Sequence, residues 1–297
     1  MNDAVTARPR YDRTSDDLGN IVEFGHINVT VPDQGKAISF YISGLGLTRD
    51  PFMMAGVENI WVNAGRNAFH LPTRGPQVFR GTIGMVIPNL ETLLARLHRV
   101  RPQLEGTRFD VREAGDTVEA TCPWGNRFRC HAPDPARFGT MRLGMPYVDF
   151  EVAPGTDLAA IERFYREVFD GVTGMGRDAR GPYAWVRVAD GSQLMFHESA
   201  NPLPPFDGHH VQVTLANFSR PYRHLLERGL ITEETNRHQY RFTDIVDMDS
   251  NKVLFQVEHE VRSMLHPMFT RQLINRNPDV TLPTFVPGYE FTPWALN

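Results

Sequence analysis

A pattern that recurs four times limits the fold of this 297-residue chain more than any other feature. Each copy opens on an alternating apolar strand: GHINVTVPD (25–33), GTIGMVIPN (81–89), PYVDFEVAP (146–154) and HHVQVTLAN (209–217). Each stops at a Pro, Asp or Asn, as a half-buried strand does. A helix-period segment follows at once: GKAISFYISGLG, LETLLARLHRV, DLAAIERFYREVFDG and RPYRHLLERGL, with apolar residues three and four apart. Gly46, Gly171 and Gly229, or basic residues, mark the helix ends. Each copy closes on a strand carrying a Phe: NAFHLP, NRFRCHAP, QLMFHES and KVLFQVEHE. A unit of one helix and three or four short strands cannot close a core alone. Repetition therefore predicts that units pair and share sheets.

The repeat also aligns residues. The opening strands align His26, Thr82, Tyr147 and His210. In the closing strands the residue after the Phe is His70, Arg129, His197 and Gln256. Successive strand residues point to opposite faces, so these polar side chains face away from the Phe and from the helices. Two opening strands thus begin with His, and two closing strands carry His at the matched point.

Bulk properties narrow the function. The net charge is −4, and no basic stripe of a nucleic-acid binder stands out. No apolar run reaches the roughly 18 residues of a membrane helix. The polar start MNDAVTARPRYDRTSDD lacks the apolar stretch of a signal peptide, which predicts a cytoplasmic protein. The cysteines, Cys122 and Cys130, flank a PWGN turn and read as free thiols in a reducing compartment. Paired CxxC, GxGxxG, Walker A, GxSxG and HExxH motifs are absent.

Together the fourfold repeat, FYISGLGL after the first strand, the fainter FYREVFDG in the third unit, and closing strands such as WGNRFRC resemble the vicinal oxygen chelate superfamily. That superfamily includes glyoxalase I, fosfomycin-resistance proteins and extradiol dioxygenases. The resemblance spans about residues 21–262. It implies an α+β fold of four βαβββ modules (21–76, 77–140, 141–203 and 204–262), paired into two curved, partly closed mixed sheets with helices outside. Residues 1–20 are expected to be a mobile tail. Residues 263–297 are Pro-rich but carry Phe285, Tyr289, Phe291 and Trp294, and are expected to wrap over the body or a partner subunit.

In this family a metal sits in the cleft of paired modules, held by the first residues of opening strands and the matched point on closing strands. Pairing modules one and two would split the histidines between clefts. Pairing one with four gathers His26, His70, His210 and Gln256, and is preferred. VLFQVE (253–258) resembles the VLFEIA-type closing motif of some hydroquinone-cleaving dioxygenases. Gln256 stands where the family has a carboxylate. A shift of two residues along the strand offers Glu258 instead, giving a two-His-one-carboxylate set of His26, His210 and Glu258 for Fe(II), with Mn(II) or Zn(II) as alternatives. The third ligand stays open between Glu258, Gln256 and His70.

His70, Arg129 and Gln256 are expected to contact substrate. An Arg fork suits a carboxylate, although Arg129 reads equally as half of a local ion pair. Extradiol enzymes place an acid–base His and a Tyr on strands like NRHQYRF, which nominates His238 and Tyr240 as catalytic. The expected function is ring cleavage of a small aromatic by a non-haem dioxygenase. The alternatives are a glyoxalase-like isomerase or lyase, and a metal-free binding protein. The expected partners are the small-molecule substrate and a second copy of the chain.

Overall fold

The structure, a computed structural model, describes residues 12–53 and 56–278. Expectations that fall on residues 1–11 and on 279–297 lie outside the described residues. Module one contains β1 (Ile21–Asn28), α1 (Gln34–Ala37) running into a π-helical stretch (Ile38–Gly44), β2 (Thr48–Arg49), β3 (Asn59–Ala64) and β4 (Asn67–Pro72). Module two contains β5 (Gly81–Val86), α2 (Leu90–Val100), β6 (Asp110–Ala114), β7 (Thr117–Thr121) and β8 (Arg127–His131), followed by the short α3 (Pro135–Phe138). Module three contains β9 (Tyr147–Val152), α4 (Leu158–Phe169), β10 (Thr173–Asp178), β11 (Gly181–Ala189) and β12 (Ser192–Glu198). Module four contains β13 (His210–Leu215), α5 (Ser219–Glu227), β14 (Ile231–Asn236), β15 (Gln239–Val246) and β16 (Val253–Ser263).

Acidic or amide side chains shortly after three of the opening strands start the helices. Asp33 accepts from the Lys36 amide at 3.0 Å, Asn89 from Thr92 at 2.9 Å, and Asp157 from Ala160 at 3.0 Å. Each satisfies an amide that the first helical turn leaves without a partner. At the far end of α4, Asp170 turns the chain through a left-handed conformation (φ 50°) into Gly171.

Modules one and four share an eight-stranded sheet, in the order β14-β15-β16-β13-β1-β4-β3-β2. Modules two and three share the other, β10-β11-β12-β9-β5-β8-β7-β6. Opening and closing strands of a module run parallel, and the two opening strands meet antiparallel at the centre of each sheet. The result is an α+β fold with duplicated modules and mixed sheets that do not close into barrels. The one-with-four pairing preferred on the histidines is the one formed.

The Phe residues of the closing strands lie on the helix side, and a single core joins both sheets through the helices. Tyr41 packs on Phe69 of the first sheet and Phe128 of the second, at ring separations of 5.1 and 5.9 Å. Tyr165 of α4 reaches Phe196 in one sheet and His259 in the other, at 5.6 and 5.8 Å. Phe255 closes the same core against Phe150 and Phe196. The opposite face of each sheet is left for polar side chains.

Two segments flank the modules. Residues 12–20, assigned to a mobile tail, carry a 3-10 turn (Arg13–Asp16), and Asn20 bonds the backbone of Asn217 and Asp170. Residues 264–278 have no regular strand or helix but lie on module one. Asn275 brackets Gly65, taking its amide at 2.9 Å and donating to its carbonyl at 2.8 Å, and Asn63 donates to the Ile274 carbonyl.

Candidate metal centre

The polar face of the first sheet is built on the seam between β1 and β13. Asn28 lies opposite His210, and His26 opposite Gln212. On the other side of β13, His210 pairs in register with Glu258 and Gln212 with Glu260. Gly25 has room only for a hydrogen, because a Cβ there would meet Oε1 of Gln212 at 1.9 Å. The GH pair thus lies inside β1, which starts at Ile21 rather than at Gly25, and the glycine leaves space for the Gln212 side chain beside His26.

His26, His210 and Glu260 form one cluster, each offering a ligand atom, all within 4.8 Å of one another. The side chains are 1%, 5% and 3% exposed. Nε2 of both histidines is buried without a hydrogen bond, that of His210 lying 3.4 Å from Oε2 of Glu260, whereas Oε1 of Glu260 is met by Nη2 of Arg262 at 2.5 Å. Unbonded buried polar atoms are costly and uncommon, so two imidazole nitrogens converging beside a carboxylate mark a place built for another partner. Burial holds the His26 imidazole neutral, pushing its pKa well below the ordinary value. Glu260 goes the other way: nearby His210, His26 and Arg262 outweigh its burial and hold the carboxyl well below the usual range. Two imidazoles and one ionised carboxylate are a donor set suited to a divalent cation.

Surrounding charges fix this set. Nη2 of Arg262 lies 2.5 Å from Glu260, and Nη2 of Arg241 donates to Glu260 at 2.6 Å. Arg262 is itself held by Gln239 at 3.1 Å. His70 stands beside the cluster, its ring 5.9 Å from that of His26 and stacked on Trp61 at 4.2 Å. Its Nε2 lies 2.7 Å from Oδ1 of Asn59, which leaves Nδ1 as the acceptor. Burial pushes His70 down to about 3. Residues 264–278 cover this face: Arg271 pairs with the fully buried Asp50 and lies over the Trp61 ring at 5.5 Å.

The structure therefore places the nominated residues unequally. It brings His26 and His210 together, with His70 adjacent. The carboxylate at the cluster is Glu260, not Glu258. Glu258 lies 3.3 Å from Nδ1 of His210 and pairs with Arg241, one step further out. Gln256 is exposed and bonds Asp244 at 2.8 Å. Glu260 is within reach of the strand-period argument, since 254, 256, 258 and 260 share a face. What the pattern does not reveal is that β16 extends to Ser263.

Arg129 lies in the other sheet, where it pairs with Glu119 at 3.0 Å, the local ion pair weighed against a substrate role. His238 sits in the turn between β14 and β15, its Nε2 bonded to Arg237. Tyr240 is 1% exposed and packs against Phe218 and Tyr222, on the helix side. Strand alternation gives Arg241, not Tyr240, to the polar face. Cys122 and Cys130 are free thiols, as expected, and both are buried. Among the described residues, no helix is long and apolar enough to cross a membrane.

No family model matches this chain, and no curated protein does. Solved structures do. A Bacillus subtilis protein provisionally named a dioxygenase is 12% identical, with 82% of this chain and 86% of that one covered and a TM-score of 0.55. Glyoxalase I from Zea mays is 14% identical, with 81% and 92% covered and a TM-score of 0.55. At these identities the likeness shows a shared fold, the paired-module α+β arrangement that the repeat implies.

Proposed function

We propose that this protein is a metal-dependent enzyme acting on a small molecule, with His26, His210 and Glu260 as the ligands of a divalent cation. The observation that carries the reading is the buried cluster itself, in which two imidazole nitrogens without hydrogen bonds converge on an arginine-held carboxylate. Fe(II) is the first choice of ion, with Mn(II) or Zn(II) as alternatives. A cation held by this facial set would supply Lewis acidity and open positions for chelating oxygen atoms. Glu258, beside Nδ1 of His210, orients that ring so that Nε2 faces the cluster. Arg241 and Arg262 keep Glu260 ionised and aimed. His70 accepts a hydrogen bond from a substrate hydroxyl through Nδ1, and Trp61 fixes its ring.

The finer reading is ring cleavage of a small aromatic diol, by a dioxygenase. The glyoxalase I likeness supports a second reading, isomerisation of a chelated hydroxycarbonyl compound. Metal analysis of protein purified without chelators tests the shared premise. A stoichiometric divalent ion is expected, lost in His26→Ala and His210→Ala. Wild-type protein that neither contains nor takes up Fe(II), Mn(II) or Zn(II) would sink the proposal. Oxygen consumption on a panel of catechols and hydroquinones then separates cleavage from isomerisation.

A further inference from the structure

The cluster has no room of its own for a substrate. The recess beside His26, between Trp61, Gln212 and Arg262, measures about 30 Å³. That is the share of one water molecule in the liquid, about 30 Å³. It can take an ion but not a ring. Four residues of its wall, Glu23, Arg66, Arg271 and Leu273, also wall a second cavity of about 670 Å³. This cavity lies where the two sheets meet. Its walls come from β1, the segment after α3, the turn between β11 and β12, and residues 269–273. Its volume falls in the range of small-molecule sites, roughly 300–1,000 Å³.

The lining describes the occupant. Phe24, Phe138, Met141, Leu143 and Phe269 make an apolar wall. The charged residues are four arginines (66, 137, 142 and 271) against two acids (Glu23 and Asp190), an excess of two positive charges. Two arginines are committed elsewhere, Arg137 to Asp116 and Arg271 to the buried Asp50. Arg142 lines the cavity but not the recess. Arg66 lines both, and its ion pair is a 3.5 Å approach to Asp190, with both side chains largely exposed. Such a pair is weak and yields to a better anion.

We infer that the cavity between the sheets is the substrate chamber of the cluster, and that it selects an apolar, ring-sized molecule bearing a carboxylate, which Arg66 takes at the passage into the recess. The planar guanidinium fork suits a carboxylate, and the apolar walls suit the ring. The inference rests on the metal reading for its chemistry, but not for the chamber's selectivity.

Calorimetric titration of the full chain with 2-naphthoate and with 2-naphthalenemethanol tests it. Naphthoate should bind about 10-fold more tightly than the neutral alcohol, the effect of one charge-assisted contact. Arg66→Gln should abolish that preference while leaving alcohol binding unchanged, and Arg66→Lys should keep part of it. Met141→Trp, which fills the chamber, should weaken both ligands. In Zn(II)-loaded protein, 2,3-dihydroxybenzoate should bind more tightly than catechol, and Arg66→Gln should remove the difference. Equal binding of naphthoate and alcohol to the wild type, or a preference that survives Arg66→Gln, overturns the inference. Protein that takes up metal but shows no charge preference refutes the chamber alone. Protein that shows the Arg66-dependent preference but binds no metal refutes the metal reading alone.

Discussion

At the scale of single residues, the two carboxylates on one face of β16 divide the work at His210. Glu260 brings a carboxylate oxygen into the cluster beside Nε2, whereas Glu258 lies against the far nitrogen of the ring. Glu260→Gln should therefore abolish stoichiometric metal binding. Glu258→Gln should weaken it only about 10–100-fold, as loss of an orienting partner does. Competition with a fluorescent chelator measures both, and equal losses would contradict the division. His131 offers a separate check on the second sheet, where its Nε2 lies 2.8 Å from the Tyr147 hydroxyl. Burial, aided by Arg137 and Arg129, pushes its pKa down from 6.5 to about 4. The unfolded chain therefore takes a proton first, so this contribution to stability is full above pH 6.5 and is lost as the pH falls towards 4. His131→Gln should destabilise by about 1 kcal/mol at pH 7, roughly one hydrogen bond. By about pH 4.5 the gap between variant and wild type should shrink or reverse. Urea unfolding at the two pH values reads it, and a gap that widens in acid would refute the assignment.

At the scale of elements, residues 264–278 depend on side chains to replace the hydrogen-bond ladder they lack. Asn275, 1% exposed, satisfies both backbone groups of Gly65. Truncating it leaves a buried donor and acceptor unpaired, at about 1–3 kcal/mol each. Asn275→Ala should therefore raise amide exchange across residues 264–278 and the β3–β4 turn, while β13 and β16 stay protected. Unchanged exchange in that segment would show that Arg271 and Arg276 suffice to hold it. The elements also show why the sequence is legible only in part. The opening strands and their helices repeat with short caps, so the repeat alone aligns His26 with His210. The closing strands differ in length: β8 has five residues and β16 eleven. Aligning them on the Phe fixes the face but not the distance to the cluster, which is why Glu260 escapes the alignment. NRHQYRF misleads for a related reason. Alternation within it is real, but the turn consumes Arg237 and His238, and only the packing of Phe218 and Tyr222 shows which face Tyr240 takes. The placing of residues 269–273 as a cavity wall rests on contacts such as that of Arg271 with Asp50, 221 residues apart in the chain, which no local pattern encodes.

At the scale of the whole molecule, the chain order makes modules two and three an insertion between the two halves of the first sheet. Modules two and three are contiguous and hold every strand of the second sheet, yet they cannot bury its helix-side face by themselves. Phe128 rests on Phe40 and Tyr41 from module one, Phe150 and Phe196 on Phe255, and Phe164 on Phe242 from module four. Each of these rings would lose a large part of its burial, where full burial of such a side chain is worth about 1.5–3 kcal/mol. Several such losses together match the usual stability of a domain, about 5–15 kcal/mol. The intact chain should therefore unfold in one cooperative transition, with Trp185 of the second sheet and Trp61 of the first reporting the same midpoint in single-tryptophan variants. A fragment of residues 77–203 should not persist as a folded monomer, but should cover the exposed face with a second copy or aggregate. Analytical ultracentrifugation with near-ultraviolet circular dichroism decides it. A monomeric fragment with native-like aromatic dichroism would mean that the sheets are independent domains, and that the chamber between them is a domain interface free to open.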